Sequence, residues 1–146
     1  MKKYKLYIFD LDGVILDSKS NMEATWNELR IKHNLKPKFN DYFKLIGAPF
    51  TKILKKLNIK SKRNQIAQTY FQKSKKYVNK IKLYPKIKLV LNQLKLNSKV
   101  AVVTSKEKKR TYLFLRKFKL KFDVISCPEK GKRGKPYPDQ LLKLIE

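Results

Sequence analysis

Hydrophobic residues along the chain alternate between short continuous runs and helical spacings. The runs at residues 6–9 and 100–103 are continuous, whereas Asp123 interrupts the third, at residues 122–126. All three are rich in β-branched and aromatic side chains. Such runs favour strands. The stretches between them carry apolar residues three or four positions apart, which is typical of amphipathic helices. Because strands that alternate with helices favour a parallel sheet covered by helices, we expect an α/β fold.

The segment between the first two predicted strands is too long for a simple crossover connection. Its apolar residues repeat at helical spacing, which predicts a small helical bundle. We therefore expect a core made of residues 1–17 and 83–146, with a helical cap inserted at residues 18–82.

Two local signals predict where helices of the insert begin. Ser20 and Glu23 have the spacing of a capping box, in which each side chain caps a backbone N–H group at the start of a helix. A longer helix is predicted to begin at Ser61 and to carry Tyr77 and Ile81 on its apolar face.

Two carboxylates, Asp10 and Asp12, come directly after the first predicted strand and are followed by Gly13. Such residues would lie at the carboxyl edge of the sheet, where open α/β folds bind their ligands. Two close carboxylates repel each other unless a cation neutralises them, and Mg²⁺ is commonly held by one or two carboxylates together with a phosphate. One carboxylate can attack phosphorus and the other can exchange a proton. The alternative is an ordinary Asp- and Gly-containing turn.

Two further groups have the chemistry of phosphate recognition. Thr104 and Ser105 end the second predicted strand next to a predicted helix, and they offer hydroxyl and N–H groups to an anion. Lys135 lies between a glycine and a proline in the string GKPYPD, where a rigid loop would hold its charge against a transferring phosphoryl group. The alternatives are a simple helix cap and one more solvated lysine among the 32 in the chain.

The chain resembles the haloacid dehalogenase (HAD) superfamily at four successive strings, FDLDGVILDS, LYPKIKLVLNQLK, VAVVTSK and GKPYPD. The resemblance is to the phosphoglycolate phosphatase and β-phosphoglucomutase branch in particular, and it implies a Rossmann-like core with an inserted helical cap. It also implies that Asp10 is the nucleophile and Asp12 the general acid and base. Thr104 and Ser105 would bind the phosphate, and Lys135 would bind it and stabilise the aspartyl-phosphate.

The resemblance further implies a Mg²⁺ ion held by the Asp10 carboxylate, the Asp12 main-chain carbonyl and an acidic residue from a fourth motif. That motif is not found, and only seven residues follow Asp139. We therefore expect a truncated chain in which the strand that precedes Asp10 is an exposed edge. Such a chain, expressed alone, should be poorly soluble or loosely packed and less active than a version completed with a fourth motif.

The chain is strongly basic, with 37 Lys and Arg against 11 Asp and Glu and a formal net charge of +26. Between Tyr42 and Lys106 there are 17 basic residues and no acidic one. Such a surface attracts polyanions in a salt-dependent way. However, most of the excess is lysine, and Asn and Ile are also abundant, which indicates an A/T-biased coding sequence. Since no base-reading motif is present, we expect no specific nucleic-acid partner.

These observations predict a Mg²⁺-dependent phosphatase that hydrolyses a small phosphorylated metabolite through an aspartyl-phosphate. The alternatives are a phosphomutase of the same family, a catalytically incompetent fragment and a basic polyanion-binding protein. The apolar runs are too short to span a membrane. The single cysteine, Cys127, fits a reducing cytosol, so we expect a cytoplasmic protein. The sequence leaves the substrate and the oligomeric state open.

Overall fold

The computed structural model describes residues 4–145 and divides the chain into two compact units. The core unit comprises Met1–Leu16 and Leu83–Glu146, and the inserted unit comprises Asp17–Lys82. The strands in the described part of the chain are β1 (Leu6–Phe9), β2 (Leu16–Asp17), β3 (Lys82–Leu83), β4 (Lys99–Val103) and β5 (Val124–Ser126). The helices there are α1 (Lys19–His33), α2 (Phe39–Phe43), α3 (Phe50–Lys56), α4 (Arg63–Lys76), α5 (Ile87–Lys95), α6 (Lys108–Lys117) and α7 (Asp139–Leu142), with a 3₁₀ turn at Val78–Lys80.

The sheet of the core unit is parallel and has the strand order β1-β4-β5. β4 lies between the other two strands, and its residues from Val100 to Val103 are all at most 2% exposed. A continuous apolar strand of this kind is typical of a parallel sheet with both faces covered. β1 pairs with β4 on one side and is an edge strand among the described residues, with Ile8 36% exposed. A second sheet pairs β2 with β3. The predicted α/β fold with a parallel sheet and a helical insertion is confirmed.

The inserted unit has its own hydrophobic core. At its centre the fully buried ring of Trp26 stacks on Tyr42 at 4.4 Å and 9°, and the indole N–H donates to the carbonyl of Pro37 at 3.1 Å. The buried residues of this core are Met22, Trp26, Leu29, Phe39, Tyr42, Ile53, Leu54, Ile66 and Tyr70. A buried aromatic pair with a satisfied polar atom gives these short helices a common packing centre.

The structure corrects both predicted helix starts in the insert. α1 begins at Lys19, before Ser20, because the Ser18 carbonyl already accepts a hydrogen bond from the Met22 N–H at 3.0 Å. The Ser20 capping box is therefore wrong. The longer helix, α4, begins after Lys62, which adopts a left-handed φ of 55°, and Ser61 lies outside it.

The predicted apolar face of the longer helix also extends too far. α4 ends at Lys76, Tyr77 is its C-cap residue, and a 3₁₀ turn separates Tyr77 from Ile81.

Within residues 4–145 no helix combines the length and apolar character needed to cross a membrane.

Candidate active site

A tight turn directly after β1 carries the two predicted carboxylates. Gly13 has φ +82°, a conformation that costs a glycine little and strains other residues. Its N–H donates to the Leu16 carbonyl at 2.8 Å, and the Leu11 carbonyl accepts from Ile15 and Leu16 at 3.0 and 2.8 Å. Leu11 is fully buried and anchors the turn. This closed turn fixes the backbone on both sides of Asp12, just beyond the carboxyl end of β1.

Lys135 reaches the first of these carboxylates. Its ammonium donates to Asp10 Oδ1 at 2.6 Å and to the carbonyl of Val103, the last residue of β4, at 2.9 Å. A hydrogen bond between two ionised groups is shorter and stronger than one between neutral groups. The side chains of Asp10 and Lys135 remain 33% and 27% exposed, so both are accessible to a ligand. Lys135 thus links the carboxyl ends of two neighbouring strands.

The loop that carries Lys135 is held by a second ion pair. The Arg133 guanidinium donates to both carboxylate oxygens of Asp139, with its shortest contacts at 2.8 and 2.9 Å, and it lies 4.7 Å from the ring centroid of Tyr137. The hydrogen bond from Arg133 holds the pKa of the Asp139 carboxyl below its ordinary value. These contacts join residues on either side of Lys135, and they therefore restrain the backbone from which its side chain extends.

Thr104 continues the sheet by one residue beyond β4. Its N–H donates to the Ser126 carbonyl at 3.0 Å, and its own carbonyl accepts from the Gln140 amide at 3.3 Å. Its hydroxyl oxygen accepts from the Lys106 N–H at 3.0 Å and still has an O–H to donate. Ser105 follows in the connecting loop and is half-buried.

A short turn joins Thr104 and Ser105 to the helix that was predicted to follow them. The turn at Lys106 separates them from α6, which begins at Lys108 with the side chain of Glu107 as its cap. Thr104 and Ser105 therefore offer a phosphate the hydroxyl and N–H groups of a loop between the end of β4 and the start of α6.

Lys106 is a site residue that the sequence reasoning missed. Its ammonium lies 2.9 Å from Asp12 Oδ2, and the two side chains are only 4% and 14% exposed. The ammonium also lies 5.1 Å from the ring centroid of Phe114. Burial lowers the pKa of Lys106, and the attraction of Asp12 opposes that shift. Its position directly after Thr104 and Ser105, at the end of the string VAVVTSK, was the available signal, but the sequence analysis assigned it no role.

The described site therefore gives each carboxylate its own ammonium group. Lys135 contacts Asp10, and Lys106 contacts Asp12 while its backbone binds the Thr104 hydroxyl. Ser105 lies in the same loop as Thr104. A cation beside each carboxylate offsets the repulsion between two negative charges at a short spacing.

Asp10 and Asp12 are also the candidates for a metal site. Carboxylate oxygens are the donors that Mg²⁺ prefers, and one or two of them together with a substrate phosphate and water form a common ligand set. Within residues 4–145, no group of three or more His, Cys, Asp or Glu side chains is arranged to hold an ion. The residues present thus fit a Mg²⁺ ion shared with a bound phosphate, and they do not form an all-protein cage.

The fold and this site define an α/β protein with paired carboxylates and lysines at the carboxyl ends of parallel strands. The family model of the haloacid dehalogenase-like hydrolases matches residues 7–146, and the chain belongs to that family. No curated protein matches the chain.

Solved structures share the fold over nearly the whole chain. A candidate haloacid dehalogenase-like hydrolase from Bacteroides fragilis is 24% identical to this chain, with a TM-score of 0.86. The match covers 98% of this chain and 72% of that one. A candidate phosphoglycolate phosphatase from Lactobacillus plantarum is 20% identical with a TM-score of 0.87, over 99% and 71% of the two chains. A candidate β-phosphoglucomutase from Thermotoga maritima is 22% identical with a TM-score of 0.68, over 97% and 69%. The predicted superfamily is confirmed.

Proposed function

We propose that this chain is a Mg²⁺-dependent phosphatase that hydrolyses a small phosphate monoester through an aspartyl-phosphate on Asp10. The observation that carries the proposal is the accessible Asp10 carboxylate at the end of β1, held at 2.6 Å by the ammonium of Lys135. Family membership supports a hydrolase, and the phosphatase-like structural neighbours are consistent with a phosphorylated substrate.

In the first step, an oxygen of the Asp10 carboxylate attacks phosphorus and the bond between phosphorus and the ester oxygen breaks. Asp12, protonated at this stage, gives its proton to the departing oxygen, which leaves as an alcohol. Lys135 and the Thr104 hydroxyl stabilise the charge on the phosphoryl oxygens, which is the main catalytic contribution in phosphoryl transfer.

In the second step, a water molecule attacks phosphorus of the aspartyl-phosphate. The bond between phosphorus and the Asp10 oxygen breaks, the Asp12 carboxylate takes the proton of the water, and inorganic phosphate leaves. The Asp10 carboxylate and the Asp12 main-chain carbonyl would hold Mg²⁺, which would further neutralise the charge of the phosphate when bound. The cycle restores both carboxylates to their starting states.

We also propose that the inserted unit, assigned to residues 18–82 from the sequence, acts as a cap that selects the substrate. The unit interrupts the chain after the carboxylate turn and has its own buried core. Insertions of this kind in hydrolases commonly exclude water and choose the substrate.

Substitution of Asp10 tests the proposed function. Asp10→Asn removes the nucleophile and should lower Mg²⁺-dependent turnover of p-nitrophenyl phosphate at least ~10³-fold, about 4 kcal/mol of activation free energy. Removal of the metal with EDTA should also abolish turnover. Asp17→Asn, which changes an exposed carboxylate of the same segment, is the matched control and should keep its activity. Activity that survives both Asp10→Asn and EDTA would contradict the assignment.

A further inference from the structure

We infer that Lys106 is a positioning residue, whose ammonium holds the Asp12 carboxylate in the orientation that proton exchange with the leaving group and the attacking water requires. The inference deepens the proposed function and rests on it. It gives a role to Lys106, the last residue of the string VAVVTSK, to which the sequence analysis assigned none.

The first support is the burial of the ion pair. Lys106 and Asp12 are 2.9 Å apart, and only 4% of the lysine side chain is exposed. Burying an ammonium group is costly unless a charged partner accepts its hydrogen bonds. Replacing a buried pair by apolar side chains is often neutral or stabilising, so stability alone is a weak reason for such a pair at this place. Orientation of a reacting carboxylate is a reason that does not depend on stability.

The second support is the way in which Lys106 is fixed. Its N–H donates to the Thr104 hydroxyl at 3.0 Å, and its carbonyl accepts from the Thr111 hydroxyl at 3.3 Å. The ammonium is bounded by the ring of Phe114, which is 1% exposed. The end of β4 and the first turns of α6 thus determine where the ammonium lies. A reacting group oriented from rigid elements is placed more accurately than one on a free loop.

The third support is the contrast between the two lysines of the site. Lys135 is 27% exposed and contacts Asp10, where phosphate is expected to bind, whereas Lys106 is 4% exposed and contacts Asp12. A side chain with so little surface has little to offer a substrate directly. Lys106 therefore acts through Asp12, and its removal should affect proton transfer more than phosphate binding.

The test compares two substrates of the same shape. Nitrophenolate leaves p-nitrophenyl phosphate without much help, whereas the phenolate of phenyl phosphate depends more on protonation by Asp12. Lys106→Met should lower kcat/KM about 10²-fold for phenyl phosphate, at the lower end of what a general acid contributes, and by a factor of about ten or less for p-nitrophenyl phosphate. The KM values should change little. A merely structural role would lower kcat/KM equally for both substrates, and that result would overturn the inference.

Two further variants make the comparison decisive. Lys109→Met removes an exposed lysine from the next turn and should leave both values of kcat/KM unchanged. Lys106→Gln keeps an N–H donor without the charge. It should also lower kcat/KM more for phenyl phosphate than for p-nitrophenyl phosphate, but by a smaller factor than Lys106→Met. It replaces Lys106→Met if that variant does not fold.

Failure of the proposed function is distinguishable from failure of this inference. If the wild-type chain has no phosphatase activity, or if Asp10→Asn leaves that activity unchanged, the proposed function is wrong. The ion pair is then judged by the unfolding of Lys106→Met, Asp12→Asn and the double variant. Residues in contact should be non-additive by at least about twofold in the unfolding equilibrium constant. Additive effects would overturn the inference.

Discussion

The carboxylates Asp10 and Asp12 are each held by a different lysine, and only one of these lysines is visible in the sequence. Lys135 is distinguished by Gly134 and Pro136 on either side. Lys106 has no such neighbours, and its role depends on the pairing of β4 with β1, which brings the loop after one strand to the turn after the other. Side-chain pairing across neighbouring strands is a tertiary property, so local sequence could not predict it.

Glu28, in the inserted unit, also has side-chain partners that the local sequence could not predict. Its carboxylate pairs with Lys73 and Lys76 of α4 at 2.8 and 2.7 Å and accepts a hydrogen bond from the Tyr77 hydroxyl. The hydrogen bonds from these three groups lower the pKa of Glu28 to about 2. Glu28 lies in α1, and its partners lie 45 or more positions further along the chain.

We expect Glu28→Gln to destabilise the protein at neutral pH by roughly 1 kcal/mol, since partly exposed ion pairs contribute only a few tenths of a kcal/mol to 1 kcal/mol each. Because the pKa of Glu28 is depressed on folding, its contribution is fully present above the ordinary value of 4.5 and is lost as the pH falls toward about 2. Urea unfolding of both proteins at several pH values measures this. Glu23→Gln, at an exposed position of the same helix, should cause no comparable loss. A difference that stays constant down to low pH would show that the carboxylate charge is not responsible.

At the scale of elements, the buried strands are the most predictable parts of the fold. β1 has the predicted bounds, because its apolar run is closed by Asp10 and by the turn that contains Gly13. β4 begins one residue before its predicted start and ends where predicted. The agreement follows because its apolar run matches its burial on both faces. In both strands the local pattern and the tertiary environment agree, which is the condition for a reliable prediction.

Element ends and the shortest strands were less predictable, for local reasons. α1 ends at His33, and its C-cap residue Asn34 has a left-handed φ of 49° and donates its N–H to the Arg30 carbonyl. The backbone conformation of Asn34 thus sets this end of the helix. β2 and β3 have two residues each, too few to show any periodicity.

At the scale of the whole molecule, the net charge of +26 is the property that local motifs do not explain. If the charge is a compositional background, binding to DNA should be weak, without sequence preference, and should fall steeply between low and physiological salt, because phosphate neutralisation releases counterions. Titration of labelled single-stranded and duplex DNA at two salt concentrations measures this. Tight binding at physiological salt with a clear preference for one sequence or structure would favour a polyanion-binding function.

The central claim, a covalent phosphoryl group on Asp10, is tested most directly by trapping that intermediate. Asp12→Asn lacks the base of the second step, and p-nitrophenyl phosphate does not require the acid of the first, so this variant should accumulate the aspartyl-phosphate. After acid quenching with the substrate labelled at phosphorus, we expect hydroxylamine-sensitive label on the peptide that contains Asp10, and none when Asp10→Asn is added. Wild-type turnover without label on that peptide, or label that persists in the double variant, would contradict the claim.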